Sequence, residues 1–388
     1  MVFEILKCGM WVIDYFAEIP VPEKIESVED LAPVIELYYH TVRAGRYDEA
    51  EVLFYDRLGE LLHYRFGAHQ TRIELLRALF PDGVDKLPML KNEDAQAFTL
   101  NALANSYALS GQSKRAVPLF EMASEVDEKR WNKQGVAIGL GNLSFQQILI
   151  GKLEAAEFNL RRFIEIFCEI KDEFREAVGH QELGRVLAYR GEFKQSEKEL
   201  ANAIKIAQKL GERQNEGLSH SYRSFRSLLM SNAEEALNYA KKARELTDVS
   251  RFERDIIQAE YLLGAAYLLK GNLVEAEKHL TEALTRDRKI NLVELEPDIL
   301  LEFAKLRFKQ NHKEEALKFA AEALQIADRC EYRLKQADMH NFLAVFYLDA
   351  GDLEKAREHG EIAKERAACG YKPALEKAEE MLSEIERR

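Results

Sequence analysis

Histidines and cysteines are the residues of this chain that could do chemistry, and their spacing is informative. Among the nine histidines, His180, His220 and His340 each stand eleven residues before Gly191, Ser231 and Gly351. Such a ladder could present ligands along a groove. A repeating architecture produces the same ladder from a half-buried packing position that tolerates a ring, and that is the reading adopted. No HExxH or other tight metal-ligand spacing occurs. Cys168 and His180 could be paired as nucleophile and base, but nothing orients them and no nucleophile elbow is near. Cys168 lies in RRFIEIFCEI, on an apolar face, and reads as a core thiol. Carboxylate pairs such as Glu234-Glu235 and Glu379-Glu380 read as solvent-facing. Cys8, Cys168, Cys330 and Cys369 form no CxxC pair, so neither a disulfide scaffold nor a zinc site is expected. The nearest glycine run, GLGNL from Gly139 to Leu143, lacks the Lys-Ser/Thr that a phosphate loop needs. No catalytic residue, metal, cofactor or bound ATP is expected.

The elements that would position a site are helices. Leu100, Ala104 and Tyr107 share one helical face; Gly111 can end that helix in the left-handed region; Ala116, Phe120 and Ala123 begin a second. This αα-hairpin recurs in steps of 40. Gly111 is followed by Gly151, Gly191, Ser231, Gly271, Asn311 and Gly351. Five residues beyond them stand Ala116, Ala156, Ser196, Ala236, Ala276, Ala316 and Ala356, and an earlier copy has Gly45 and Ala50. The period predicts an all-α chain. Ser231 enters the left-handed region less readily than Gly or Asn, which predicts an irregular hairpin there. Loops such as KDEFREA and GERQNEG are expected between hairpins.

Net charge of −12 disfavours a phosphate backbone, so nucleic acid is not an expected partner. The 31% of charged residues are interspersed, as on solvated helix faces. No run reaches the roughly 18 apolar residues of a spanning helix. The N-terminus lacks a basic leader. A soluble, cytoplasmic protein without membrane contact is expected. In order along the chain, residues 1–33 read as an apolar helix over 3–16 and a Pro-containing linker, with Ser27 or Asp30 capping the next helix. Residues 34–94 read as a first hairpin, an extra helix from Ala68 to Phe80 and a loop, after which Asn92 or Asp94 caps. Residues 95–369 are the regular array, and 370–388 a charged capping helix that ends the stack.

The small residue, aromatic, turn glycine and alanine fall where tetratricopeptide repeats (TPRs) place them. The chain resembles that family, with a period of 40 in place of about 34, so longer helices are expected. The resemblance implies a right-handed α-solenoid of stacked antiparallel hairpins. VRAGRYDEA, IELLRALFPDG, LNALANSY, IGLGNL, NLRR and EFREAVGHQELGR further resemble the C-terminal TPR sensor of prokaryotic STAND-class signalling NTPases, without the NTPase module. That implies a non-enzymatic module that binds a protein or peptide in a concave groove, as sensor or scaffold of a signalling or defence system. An NTPase or effector module would act in cis or in trans. The alternative is a sensor of a metabolite or sugar.

The TPR resemblance also implies that residues ten, nine, six, three and two before each anchor face the groove. Asn101, Asn105, Asn142, Gln181 and Arg185 could hold a peptide backbone or carboxylate. Phe145, Tyr189, Tyr222 and Phe225 could add aromatic anchors. The amides can equally satisfy neighbouring helices, and aromatics at helical spacing are more often core.

Overall fold

The computed structural model describes residues 25–250 and 252–388. The apolar helix expected over 3–16 lies outside them, as does Cys8. The described residues carry eighteen α-helices and no strand. None of these helices is long and apolar enough to cross a membrane. The chain divides into two compact units, Met1–Asn142 and Leu143–Arg388, each described by itself.

The first unit holds α1 (Ala32–Arg43), α2 (Tyr47–Phe54), α3 (His69–Arg77), α4 (Glu93–Leu109), α5 (Ser113–Lys129) and the first part of α6 (Lys133–Leu149). The expected insertion is seen as two π-helical turns, Tyr55–Gly59 and Leu61–Arg65, that extend α2, followed by α3. Tyr38, buried on α1, donates its hydroxyl to the Leu75 carbonyl at 2.6 Å and ties α3 to the first hairpin. Asn92 caps α4 by accepting from the Asp94 amide at 2.7 Å. Asp30 does not cap α1. Its carboxylate accepts from the amides of Glu26 and Ser27, upstream of it, and closes the turn ahead of the helix.

The second unit begins within α6 and continues with α7 (Leu153–Ile170), α8 (Glu173–Tyr189), α9 (Phe193–Leu210), α10 (Arg213–Leu229), α11 (Ala233–Ser250) and α12 (Glu253–Lys270). It ends with α13 (Leu273–Ile290), α14 (Glu296–Lys309), α15 (Lys313–Arg329), α16 (Arg333–Asp349), α17 (Leu353–Ala367) and α18 (Lys372–Arg387). Most are 17 or 18 residues long, so the longer period goes into longer helices.

The punctuation is twice as dense as the glycines suggest. A left-handed residue occurs at Gly111, Trp131, Gly151, Lys171, Gly191, Gly211, Ser231, Gly271, Asn291, Asn311, Glu331 and Gly351. These follow a 20-residue step from Gly111 to Gly351, at each helix end among the described residues of that stretch. The stretches KDEFREA and GERQNEG are therefore not loops. Only Lys171-Asp172 and Gly211-Glu212 are non-helical there, because one left-handed residue suffices to reverse the chain. Asp172 then caps α8 through the Arg175 amide at 3.0 Å. The hairpin at Ser231 is regular, since Ser231 itself takes φ 57°. Tertiary packing outweighs the roughly 1–2 kcal/mol that this conformation costs a residue with a Cβ.

Each hairpin is locked at the residue five beyond its anchor. Ala156, Ala236, Ala276, Ala316 and Ala356 are fully buried. Ser196 substitutes by donating its hydroxyl to the Gly184 carbonyl at 2.6 Å. A Cβ on Gly184 would sit 2.6 Å from Leu200 Cγ, so α8 and α9 approach closely only because that side chain is absent.

The second unit also closes on itself. Leu153, Leu160, Leu183 and Leu187 share one core with Leu334, Ala337, Ala367, Tyr371 and Ala374. Leu149 packs with Ala327, Cys330 and Tyr332. Its last helices thus meet its first, and the stack encloses a hollow.

Candidate functional site

The hollow has a volume of about 730 Å³, within the range of about 300–1,000 Å³ usual for ligand pockets. Its wall follows one helical stripe through successive hairpins. Three and two residues before the anchors stand Ile148, Leu149, Leu228, Leu229, Leu268, Leu269, Phe308 and Lys309. Six before stand Arg185, Phe225, Ala265, Lys305 and Val345. Ten and nine before stand Tyr222, Tyr261, Leu262, Leu301, Glu302, Asn341 and Phe342.

Of the nine groove candidates, Arg185, Tyr189, Tyr222 and Phe225 line the hollow. Phe145 lies behind them: the Arg185 guanidinium is 4.9 Å from its ring centroid and Arg254 is 5.8 Å. Gln181 is buried, accepting from Ser219 at 3.3 Å. Asn101, Asn105 and Asn142 are half-buried in the first unit. The Asn101 side-chain amide is spent on the Ala97 carbonyl at 3.1 Å.

Sequence reasoning missed the deeper wall. Arg254, Glu294 and Leu334 stand seventeen before their anchors, and Gln258, Asp298 and Asp338 thirteen. These positions lie two heptads and one heptad further up the stripe, so the helical period itself was the signal. Tyr371, Lys377, Glu380, Met381 and Glu384 come from outside the register, at or on α18.

Six cationic and six anionic residues line the hollow, and most are matched within it. Arg254 grips Glu294 with two contacts of 3.1 and 3.2 Å. Lys335 pairs with Asp298, and Lys305 with Glu302 at 2.6 Å. Arg185 lies 2.9 Å from Glu182 and stacks on Tyr222 at 5.2 Å. Burial pushes the Glu294 carboxyl up, but Arg254, Arg185 and Lys335 outweigh it and hold the group below its ordinary value. Burial keeps Asp298 raised despite Lys335, and lifts Asp338 to about 6. It also raises the phenols of Tyr189, Tyr222, Tyr261 and Tyr371, which stay protonated as donors.

The histidine ladder lies between the two helices of each hairpin, outside the hollow's lining. His180 Nδ1 meets Glu199 at 2.6 Å, His279 Nδ1 meets Glu260 at 2.6 Å, and His340 Nδ1 meets His359 Nδ1 at 2.8 Å. His220 stacks on Tyr239. Each joins the residue eleven before an anchor to the one eight beyond it, with His279 at the second of these positions and Glu260 at the first. Cys168 is exposed, contrary to its reading as a core thiol. The apolar stretch around it wraps past the buried stripe of Leu160, Phe163 and Phe167. Its thiol is pushed up by burial and by Glu176, away from reactivity.

No protein-family model and no curated protein sequence matches the chain. Solved structures do. The Rap conjugation gene regulator of plasmid pLS20, in complex with the Phr* peptide, is 12% identical. That match covers 94% of this chain and 98% of that one, with a TM-score of 0.64. A Rap protein complexed with competence and sporulation factor is 15% identical over 92% of this chain and 100% of its own, at 0.52. A STAND protein with a tetratricopeptide repeat sensor, from Pyrococcus horikoshii, is 17% identical over 98% of this chain and 55% of its own. Its TM-score of 0.45 is too low to carry an argument. At such identities the likeness shows the fold. With its paired helices, left-handed turns and buried small residue in every hairpin, the chain is a tetratricopeptide-like repeat protein.

Proposed function

We infer that this chain is a non-enzymatic interaction module whose second unit takes a short peptide, or a short segment of a protein, into its hollow. The observation that carries this reading is the hollow itself: about 730 Å³, walled by one stripe of six hairpins, with charges of both signs, side-chain amides and four tyrosines among leucines. An extended peptide needs that mixture. Its backbone asks for donors and acceptors along its length, and its side chains for apolar slots and charge partners. Arg185, Tyr189, Tyr222 and Phe225 form one wall of the site. Two solved proteins of this fold are in complex with the Phr* peptide and with competence and sporulation factor, which agrees with the reading. The half-enclosed volume also suits a metabolite, and that is the second reading. A role as sensor or scaffold of a signalling system, with an NTPase or effector elsewhere, follows the STAND resemblance.

The test is a plug. Leu269 lines the hollow and is 37% exposed, so Leu269→Trp fills space without crowding the core. Retention of a random pentapeptide pool should fall at least tenfold while the melting temperature stays within about 2 °C. Unchanged retention would remove the hollow as the site.

A further inference from the structure

Asp338 lacks the ion-pair partner that the carboxylates beside it in the hollow have. Asp298 is taken by Lys335 and Glu302 by Lys305. Asp338, one turn along α16 from Lys335, accepts only from the Tyr371 hydroxyl, at 3.0 and 3.2 Å. Lys377 and Lys305 act on it through space, but among the described residues no cation is recorded within ion-pair distance of it. Three residues on, Asn341 faces the same hollow. It is nine-tenths buried, its amide nitrogen is spent on the Ala374 carbonyl at 2.9 Å, and its Oδ1 has no partner. Tyrosine rings share this hollow: Tyr371 packs edge-on against Tyr189 at 5.1 Å, and Tyr261 lines the same wall. A buried acceptor without a donor is costly, and a half-buried carboxylate without an ion pair is open to a cation from the hollow. Two acceptors and several aromatic faces together describe a receptor for a compact organic cation, which hydrogen-bonds in several directions and is drawn to ring faces.

We propose that the guest of the hollow presents an ammonium group, held by Asp338 and Asn341 Oδ1 beside Tyr189, Tyr261 and Tyr371. The proposal rests on the reading of the hollow as a ligand site, and for a peptide without lysine it places the free amino terminus there. A lysine side chain or a free polyamine offers the same chemistry. The ammonium would pair with Asp338 as Lys335 pairs with Asp298 and Lys305 with Glu302.

Affinity-selection mass spectrometry of the full chain at pH 7.5 tests this. The probes are a random pentapeptide pool lacking lysine, with free amino termini, the same pool N-acetylated, and spermidine. The free pool should be retained at least tenfold over the acetylated pool, and Asp338→Asn should abolish that preference. Asparagine keeps the acceptor for Tyr371. Tyr261→Leu, which removes a ring and no charge, should weaken retention several-fold and reports independently if Asp338→Asn lowers stability. Spermidine retained by the wild type and lost in Asp338→Asn assigns the site to a small amine and also supports the subsite. Equal retention of both pools, still sensitive to Leu269→Trp, overturns the ammonium subsite and leaves the hollow standing. Retention of no probe, or retention indifferent to Leu269→Trp, overturns both.

Discussion

Tyr189 and Tyr371 meet edge to face, with ring centroids 5.1 Å apart and planes at 83°. One ends α8 near the start of the second unit; the other immediately precedes its last helix. Their contact is where the stack closes on itself, and Tyr371 also donates to Asp338 in the hollow wall. Closure and the hollow's wall therefore share a residue.

Removing that residue should cost more than its hydrogen bond. Tyr371 is 1% exposed and packs in the core that joins the two ends of the unit. Tyr371→Ala should destabilise the protein by about 3 kcal/mol or more, the range for large aromatic truncations in a core. Peptide retention should fall with it. Denaturant unfolding measures the first; an unchanged midpoint would show that the seam contributes nothing.

The hairpin lock predicts overpacking. Ala276 is fully buried among Ile257, Leu268, Leu280 and Leu295. Ala276→Phe should destabilise by about 1–3 kcal/mol. Val274→Phe, two residues away at a position 77% exposed, should be neutral. Equal melting temperatures for the two variants would refute the pairing.

Asp287 gives a pH signature. It is fully buried on α13, and neither carboxylate oxygen has a hydrogen-bond partner. Burial, then Glu296, pushes its pKa to about 8 from 3.8. Between those values the folded state keeps a proton that the unfolded state has released, so stability is lost as pH rises through that window. Asp287→Asn does not titrate. Its stability relative to the wild type should improve from pH 5 to pH 8.5 and then level off. A difference independent of pH would mean that the carboxyl is not raised.

Much of this was legible in the sequence, for a physical reason. A turn that demands φ > 0 selects Gly, and Gly111, Gly151, Gly191, Gly271 and Gly351, with Ser231 and Asn311 in the same register, marked every second helix end from 111 to 351. The alternate ends were hidden because Trp131, Lys171, Asn291 and Glu331 take the same conformation with side chains that advertise nothing. Four residues of the groove register, Arg185, Tyr189, Tyr222 and Phe225, line the hollow, because a stripe repeats with the helix that carries it. It stopped short of Asp298 and Asp338, which continue the stripe at one more heptad. The approach of Tyr371 to Tyr189 was not legible: it joins hairpins distant in sequence through the accumulated twist of the stack, which no local pattern encodes.

The most direct measurement is photo-crosslinking from inside the hollow. A benzophenone amino acid replaces Val345, which lines the hollow at 40% exposure, or Phe158, which is 68% exposed and absent from its wall. Irradiation with the free-amine pentapeptide pool should give peptide adducts at position 345 and few at 158. Equal yields at both positions, or none at 345, would contradict the account.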